Sequence, residues 1–237
     1  MKTCKLLFFG VIAVLSFSLS SCLKGDNSST ISNAWGYVTT SSSGVTSVNT
    51  TGGYPIVSST ITSNLSAGQC VQISYTTDFT LSNSAYLATD VSFTKIPNQY
   101  SLTPETAISV DDSTFVTALT IPCYSYTNWF GDNYFLYITK KSYDGITATP
   151  NFYYSTDIPT DFDTSKDSVI IDVRFKVSGK ATTTTASSST SVCTVNLTPI
   201  RQLYTSYSGK YIPIYFKYYT SKTTQVATSK SAMAISE

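Results

Sequence analysis

The chain has 237 residues, of which 15 are basic, 14 are acidic and none is histidine. Without an imidazole it cannot hold a Ser-His or Cys-His nucleophile pair or a histidine-ligated zinc ion. Its charges nearly balance and its basic residues are scattered, which excludes the concentrated basic surface that nucleic-acid binding requires.

An apolar segment near the N-terminus predicts export. The run from Leu6 to Leu19 follows the basic residues Lys2 and Lys5 and is too short to span a bilayer. It ends in Leu19-Ser20-Ser21-Cys22, which resembles the lipobox of bacterial lipoproteins. The resemblance implies that residues 1–21 are a signal peptide, that the Cys22 thiol carries diacylglycerol, and that its new amino group can take a fatty acid such as palmitate. Two or more acyl chains anchor a protein stably to a membrane.

The residues that follow predict a tether. Residues 22–33 are polar and without periodic pattern, so we expect a flexible segment that holds the folded part off an outer membrane. In lipoproteins of the Bacteroides group, acidic residues after the lipidated cysteine act as a surface-export signal, and here only Asp26 is present. The sequence leaves open whether the folded part faces the cell surface or the periplasm.

From Trp35 onward the apolar residues follow a period of two. Apolar and polar residues alternate in the stretches 71–75, 169–177 and 212–218, which is typical of half-buried strands. Threonine is abundant, and its branched side chain favours strands over helices. We therefore predict an all-β protein.

Two further segments are interpreted from the same pattern. In 87–93 the alternation places Leu87 on the inner face of a strand and Ala88 on the outer face. The Ser/Thr-rich run 178–191 lies between two good strand patterns, and we interpret it as a long, mobile hairpin loop.

The order of short motifs resembles one family of envelope proteins. Gly36-Tyr37-Val38, then Gly52-Gly53-Tyr54-Pro55, then the segment 65–75 are similar to the first domain of NigD-like lipoproteins of the Bacteroidales. The segment 128–138, with Trp129 followed by a Tyr-rich strand, is similar to the beginning of their second domain.

The resemblance implies two domains and a limited function. We expect an N-terminal OB-like barrel at 34–97 and a C-terminal β-sandwich at 101–237, with the boundary near Pro97 and Pro104, where two prolines interrupt strand pairing. The family implies an envelope lipoprotein that has no demonstrated catalysis and is associated with bacteriocin-type operons.

An aromatic cluster is the first candidate site. Trp129, Tyr126 and Tyr124 belong to it and could stack on sugar rings, although tyrosine-rich clusters more often pack in cores. Among them, Trp129 beside the turn 131–133 is the best candidate for an exposed ring.

Two other groups of residues are candidate sites. Asp161, Asp163 and Asp167 mimic the ligand spacing of a calcium loop, but the glycine and the bidentate glutamate of an EF-hand are missing, so a solvated turn is the preferred interpretation. Cys123 and Cys193 could form a disulfide after export. The alternative is that these two and Cys70 are buried apolar side chains.

Three functions remain. The leading hypothesis is a non-catalytic lipoprotein that acts through protein contacts, without cofactor or nucleic acid. The second is a glycan-binding surface lipoprotein. The third is a glycosidase that uses two carboxylates, a chemistry that needs no histidine.

Overall fold

The computed structural model describes residues 28–82, 84–105, 114–228 and 230–235. The predicted signal peptide and the predicted lipidation site at Cys22 lie outside these ranges. Within them, no helix is long and apolar enough to cross a membrane. Strands dominate both halves of the chain, so the all-β prediction is confirmed.

The described residues between 28 and 97 form a seven-stranded sheet and one short helix. Its helix α1 (Ser59–Asn64) lies between the third and fourth strands, and Ser58 caps it by accepting a hydrogen bond from the Ile61 N–H at 3.1 Å. The strands are β1 (Ser29–Thr40), β2 (Thr46–Thr50), β3 (Pro55–Val57), β4 (Cys70–Thr77), β5 (Leu81–Ser82), β6 (Ala85–Leu87) and β7 (Thr89–Lys95).

Pairing at both ends of one segment closes this sheet into a barrel. Strands β6 and β7 are separated only by Ala88; β6 pairs in parallel with β3, and β7 pairs antiparallel with β4. Since β1 pairs with both β2 and β4, the ring is complete and has the five-stranded order of an OB barrel. Val38, Val48 and Ile56 fill its interior and are fully buried.

The C-terminal half forms a nine-stranded sheet. Helix α2 (Thr198–Leu203) and the 3-10 turns Asn128–Phe130 and Thr205–Tyr207 lie between strands. The strands are β8 (Gln99–Pro104), β9 (Phe115–Cys123), β10 (Asn133–Tyr143), β11 (Ile146–Tyr154), β12 (Val169–Gly179), β13 (Ala186–Asn196), β14 (Tyr211–Tyr219), β15 (Gln225–Ala227) and β16 (Ser231–Ala234).

Strand β8 joins the two halves of this sandwich. Its first residues pair in parallel with β13 and its last residues pair in parallel with β11. Strands β9, β10 and β13 form one layer, and β11, β12 and β14 form the other. Their inner faces meet in one cluster: Tyr134 of β10 and Phe216 of β14 lie with ring centroids 6.1 Å apart.

Several segments differ from the sequence-based prediction. Residues 29–33, predicted as part of the tether, begin β1, and residues 29–31 pair with the end of β4. Most of the run 178–191 is strand rather than loop, and residues 180–185 make the turn between β12 and β13. Backbone pairing explains both cases, because a ladder of peptide hydrogen bonds needs no apolar side chains.

The phase predicted for 87–93 is right from Asp90 to Phe93 but wrong at Leu87 and Ala88. Leu87 is exposed and Ala88 is buried. The reason is a break in the strand: Ala88 separates β6 from β7, Asp90 has a left-handed backbone with φ of 50°, and the register of β7 against β4 shifts there.

Candidate functional site

An apolar cluster joins the two domains. The barrel contributes Cys70 and Ile96 together with the half-buried Trp35 and Tyr37, and the sandwich contributes Cys123, Trp129, Phe130, Phe135 and Val192. The rings of Trp35 and Phe135 lie 5.0 Å apart between centroids. The cluster therefore makes the two domains one packed unit.

Trp129 lies in this interface. It is half-buried on the 3-10 turn before β10, and its indole N–H donates to the carbonyl oxygen of Thr50 at 2.7 Å. The Asn49 amide nitrogen donates in return to the Trp129 carbonyl oxygen at 2.8 Å. The polar edge of the ring that we considered for sugar stacking is thus bound to the barrel.

The residues after Trp129 fit closely against β1. Gly131 has a left-handed backbone with φ of 58°, and a Cβ atom at this position would lie 2.3 Å from Cζ of Tyr37. The side-chain amides of Asn133 and Asn196 both donate to the Gly131 carbonyl oxygen, at 3.1 and 2.8 Å. The turn is held from the sandwich side while the Tyr37 ring covers it from the barrel side.

A buried ion pair supports this turn from within the sandwich. Asp132, only 7% exposed, accepts from Nε of Arg201 at 2.9 Å and from Nη2 at 2.7 Å. The third arm of the guanidinium, Nη1, donates to the carbonyl oxygen of Ala234 near the chain end. The pair therefore connects the start of β10 to α2 and β16.

Tyr124 and Tyr126 lie in the same β9–β10 connection, before Trp129. Tyr124 is half-buried and stacks on Tyr134 with centroids 5.0 Å apart. Tyr126 is 51% exposed and packs edge-on against Tyr211, which is 59% exposed. Tyr211 was missed in the sequence, although its place before the buried Ile212 in an alternating strand is the pattern of an outward side chain.

The three aspartates weighed as calcium ligands form a polar turn. The Asp163 carboxylate accepts from the Ser165 hydroxyl at 2.7 Å and from the Ser165 N–H at 2.9 Å, and it pairs with Lys166 at 3.2 Å. These contacts lower the pKa of Asp163 to about 2. Asp167 accepts from the Asp163 N–H at 2.7 Å, and Asp161 is exposed. In the described ranges no three acidic or thiol groups are placed to hold a metal ion.

A cleft of about 460 Å³ lies at the end of the sandwich. One row of its wall crosses three strands, since Tyr153 is opposite Asp172 and Asp172 is opposite Lys217. The segment 155–168 forms another wall and is fixed by Phe162, whose ring lies 5.0 Å from that of Tyr204.

Carboxylates predominate among the charged residues of this cleft. Glu105, Asp157 and Asp167 line it together with Asp172 and one cation, Lys217. Asp172 is already paired: Nε and Nη2 of Arg174 donate to its two oxygens at 2.6 and 2.5 Å, and the guanidinium also lies over the Tyr219 ring. The remaining charge of the lining is negative, so the cleft attracts cationic groups.

The three cysteines of the folded part are free and buried. Cys123 lies in the interdomain cluster and Cys193 in the sandwich core, so the considered disulfide is absent. Burial raises the pKa of each thiol to about 12. They act as apolar packing groups.

The N-terminal domain matches a known family. Residues 26–96 match the model described as "Lipoprotein OB domain". The match confirms the predicted OB-like domain and the resemblance to lipoproteins that begin with one, and it indicates a cell-envelope protein. No curated protein matches the chain.

Three solved structures are similar in fold across both domains. An uncharacterized protein from Parabacteroides merdae ATCC 43184 is 17% identical, with 86% of this chain and 99% of that chain covered and a TM-score of 0.65. A "putative lipoprotein" from Bacteroides fragilis NCTC 9343 is 16% identical, with 87% and 98% covered and a TM-score of 0.52. A "putative toxin related protein" from Parabacteroides distasonis ATCC 8503 is 12% identical, with 88% and 94% covered and a TM-score of 0.51.

Proposed function

We propose that this chain is a non-catalytic, NigD-like lipoprotein, anchored in the outer membrane through Cys22, that acts by binding another protein. The lipoprotein OB domain supports the first part, because its match begins at residue 26, four residues after the lipobox cysteine. The shape and charge of the cleft support the second part.

The acidic cleft carries the proposal of protein contacts. It is open at the end of the sandwich. Its lining contains three carboxylates together with tyrosine rings from β11 and from the residues after α2. A loop that presents Lys or Arg would find carboxylates for its charge and tyrosine faces for its aliphatic stem. We infer a partner protein with a basic segment, such as a secreted bacteriocin-type protein of the kind the family resemblance implies.

A glycan-binding function has one observation in its favour, the exposed pair Tyr126 and Tyr211. Their rings stand at 88° to each other, so they do not form the coplanar platform on which a sugar chain lies flat. We therefore rank glycan binding second, with these two residues rather than Trp129 as its anchors.

The anchor is tested by replacing Cys22→Ser. The variant should lose palmitate labelling and leave the membrane fraction, because the proposed lipid is then absent. A Cys22→Ser protein that still carries radiolabelled palmitate would contradict the lipobox interpretation.

The binding site is tested by photo-cross-linking in cells. A benzophenone amino acid at Tyr153 should give one discrete protein adduct, and the same group at Tyr211 should not. Asp157→Lys should abolish the adduct, whereas Asp144→Lys, on an exposed turn outside the cleft, should leave it unchanged. An adduct that is insensitive to Asp157→Lys would contradict the basic-segment proposal.

The non-catalytic assignment is tested separately with polysaccharides. Release of reducing sugar from a polysaccharide that is lost in the Glu105→Gln variant would overturn it.

A further inference from the structure

One end of the barrel is defined by where β1 begins. Strand β1 starts at Ser29, and β4, which runs antiparallel to it, finishes there, because its last residue Thr77 is the register partner of Ser29. Residues 78–80, which follow β4, therefore lie at this end too, and Tyr54, which follows β2, is placed beside them because its ring and that of Phe79 both contact Tyr86. The segment that leads back to Cys22 leaves the barrel here.

This end carries an exposed apolar surface, which we call the tether-end patch and define as Tyr54, Phe79, Leu81 and Tyr86. The Tyr86 ring lies 5.1 Å from that of Tyr54 and 5.4 Å from that of Phe79. Leu81 is the register partner of Tyr86 in the β5–β6 hairpin, so their side chains share a face. Tyr54, Phe79 and Leu81 are each more than two-fifths exposed.

The backbone presents Phe79 outward at a conformational cost. Its φ of 58° is left-handed, which is uncommon for a large side chain. The turn is fixed nonetheless: the Phe79 N–H donates to the Thr77 hydroxyl at 3.1 Å, and the Thr80 N–H donates to the Asp78 carboxylate at 2.8 Å. An aromatic ring held in solvent by a strained turn is a feature expected of a contact surface.

The tether keeps this surface close to the anchor. Seven peptide units separate Cys22 from Ser29 and span at most about 25 Å when extended. Ser29 is the register partner of Thr77, so the two Cα atoms are about 5 Å apart, and Phe79 follows within roughly 7 Å. The patch therefore stays within the reach of a lipid attached at Cys22.

We propose that the tether-end patch rests on the phospholipid leaflet that holds the Cys22 lipid. Tyrosine rings suit the headgroup layer, and Phe79 and Leu81 suit the boundary with the acyl chains. The segments 51–54 and 78–82 contain one charged residue, Asp78, so the contact is apolar rather than electrostatic. This inference rests on the lipidation proposed above. The chain is then docked on the membrane, with the barrel end down, rather than swinging on its tether.

The test compares two spin labels on the lipidated mature protein in phosphatidylcholine vesicles. Leu81→Cys lies in the patch, and Val45→Cys lies at the opposite end of the barrel; the two native side chains are equally exposed, at 49%. The native thiols are buried and will not compete for the label. We expect oxygen, relative to a water-soluble nickel chelate, to relax the label at 81 roughly threefold or more better than the label at 45, because interfacial side chains lie about 5–10 Å deep.

Equal exposure of both labels to the nickel chelate, on protein that floats with the vesicles, would overturn the docking while leaving lipidation intact. Protection at position 81 in native membranes but not in pure lipid vesicles would assign the patch to a protein partner instead. Protein that does not float at all would overturn the proposed anchor and this inference together.

Discussion

The indole N–H of Trp129 and the carbonyl oxygen of Thr50 are joined at 2.7 Å across 79 residues of chain and across the two domains. Because the acceptor is a backbone carbonyl at the end of β2, the bond ties the sandwich to the frame of the barrel rather than to a mobile side chain. With Asn49 it forms a reciprocal pair of contacts, which orients one domain on the other.

Truncating this anchor should destabilise the protein. Trp129→Ala is expected to lower the free energy of unfolding by about 2–3 kcal/mol, and Trp129→Phe, which removes only the N–H donor and part of the ring, by about 1 kcal/mol. Tyr126→Ala, on an exposed ring of the same connection, should change it by less than about 0.5 kcal/mol. Urea unfolding followed by circular dichroism measures all three. Equal stability of the Trp129→Ala and Tyr126→Ala proteins would show that Trp129 is not an anchor.

Gly131 should tolerate no side chain. Gly131→Ala adds left-handed strain and a clash with Tyr37, so we expect a loss of about 3 kcal/mol or more. Gly53→Ala is the matched control, because its φ is 86° but its Cβ would meet nothing within 4 Å; it should cost about 1 kcal/mol. In the Gly131→Ala background, the further change Tyr37→Ala should cost less than it does in the wild type, because it removes the ring with which the added Cβ clashes. If both glycine variants melt at the same temperature, the contact with Tyr37 is unimportant.

The ion pair of Asp132 and Arg201 should contribute to the stability of the fold, because the Asp132 carboxylate is buried and has to be compensated. Arg201→Met leaves the Asp132 carboxylate uncompensated, and we expect a loss of about 3–5 kcal/mol. Combining it with Asp132→Asn should recover part of that loss, because the buried charge is removed. Lys166→Met breaks the Lys166–Asp163 pair, whose side chains are 80% and 42% exposed, and should cost less than about 0.5 kcal/mol. A double variant less stable than Arg201→Met alone would argue against this explanation.

The buried thiols predict how the stability of the protein changes at alkaline pH. Their pKa is 9.0 in the unfolded chain and about 12 when folded, since burial disfavours the thiolate. Below pH 9 both states hold the proton, and between pH 9 and 12 only the unfolded state releases it, so stability should fall as pH rises through this window. Thiol titration at pH 8 should find these three cysteines silent in native protein and reactive in denaturant. Rapid reaction of a native thiol would place it at the surface.

Local sequence patterns predicted those strands in which one face of side chains lies in a core. The alternation in 71–75 and 169–177 identified β4 and β12, because each strand has one face in a core. The strand at 186–191 escaped notice because its Ser/Thr side chains are largely exposed, and only pairing with β10 orders it. Short Ser/Thr-rich α1 carries too few residues for a helical period to show.

The candidate site was harder to predict than the strands, because it depends on contacts between residues that are distant in the sequence. The sequence predicted Trp129 as the best candidate for an exposed ring, but Trp129 is half-buried between the domains. Its partner Thr50 is fixed by the docking of the two domains, which no local spacing encodes. The cleft brings Glu105, Asp172 and Lys217 together from three separate strand regions, and it could not be found before the pairing of β12 with β14 was known.

The place of β8 also sets the order in which the chain can fold as it emerges N-terminus first. The barrel is complete once Lys95 is free, because all its partners are within the preceding residues. Strand β8 follows immediately, yet its register partners in β11 and β13 arrive about 50 and 95 residues later. Until then its edges are unpaired and prone to mispairing. We therefore expect the sandwich to fold later and more slowly than the barrel, on a barrel that is already folded.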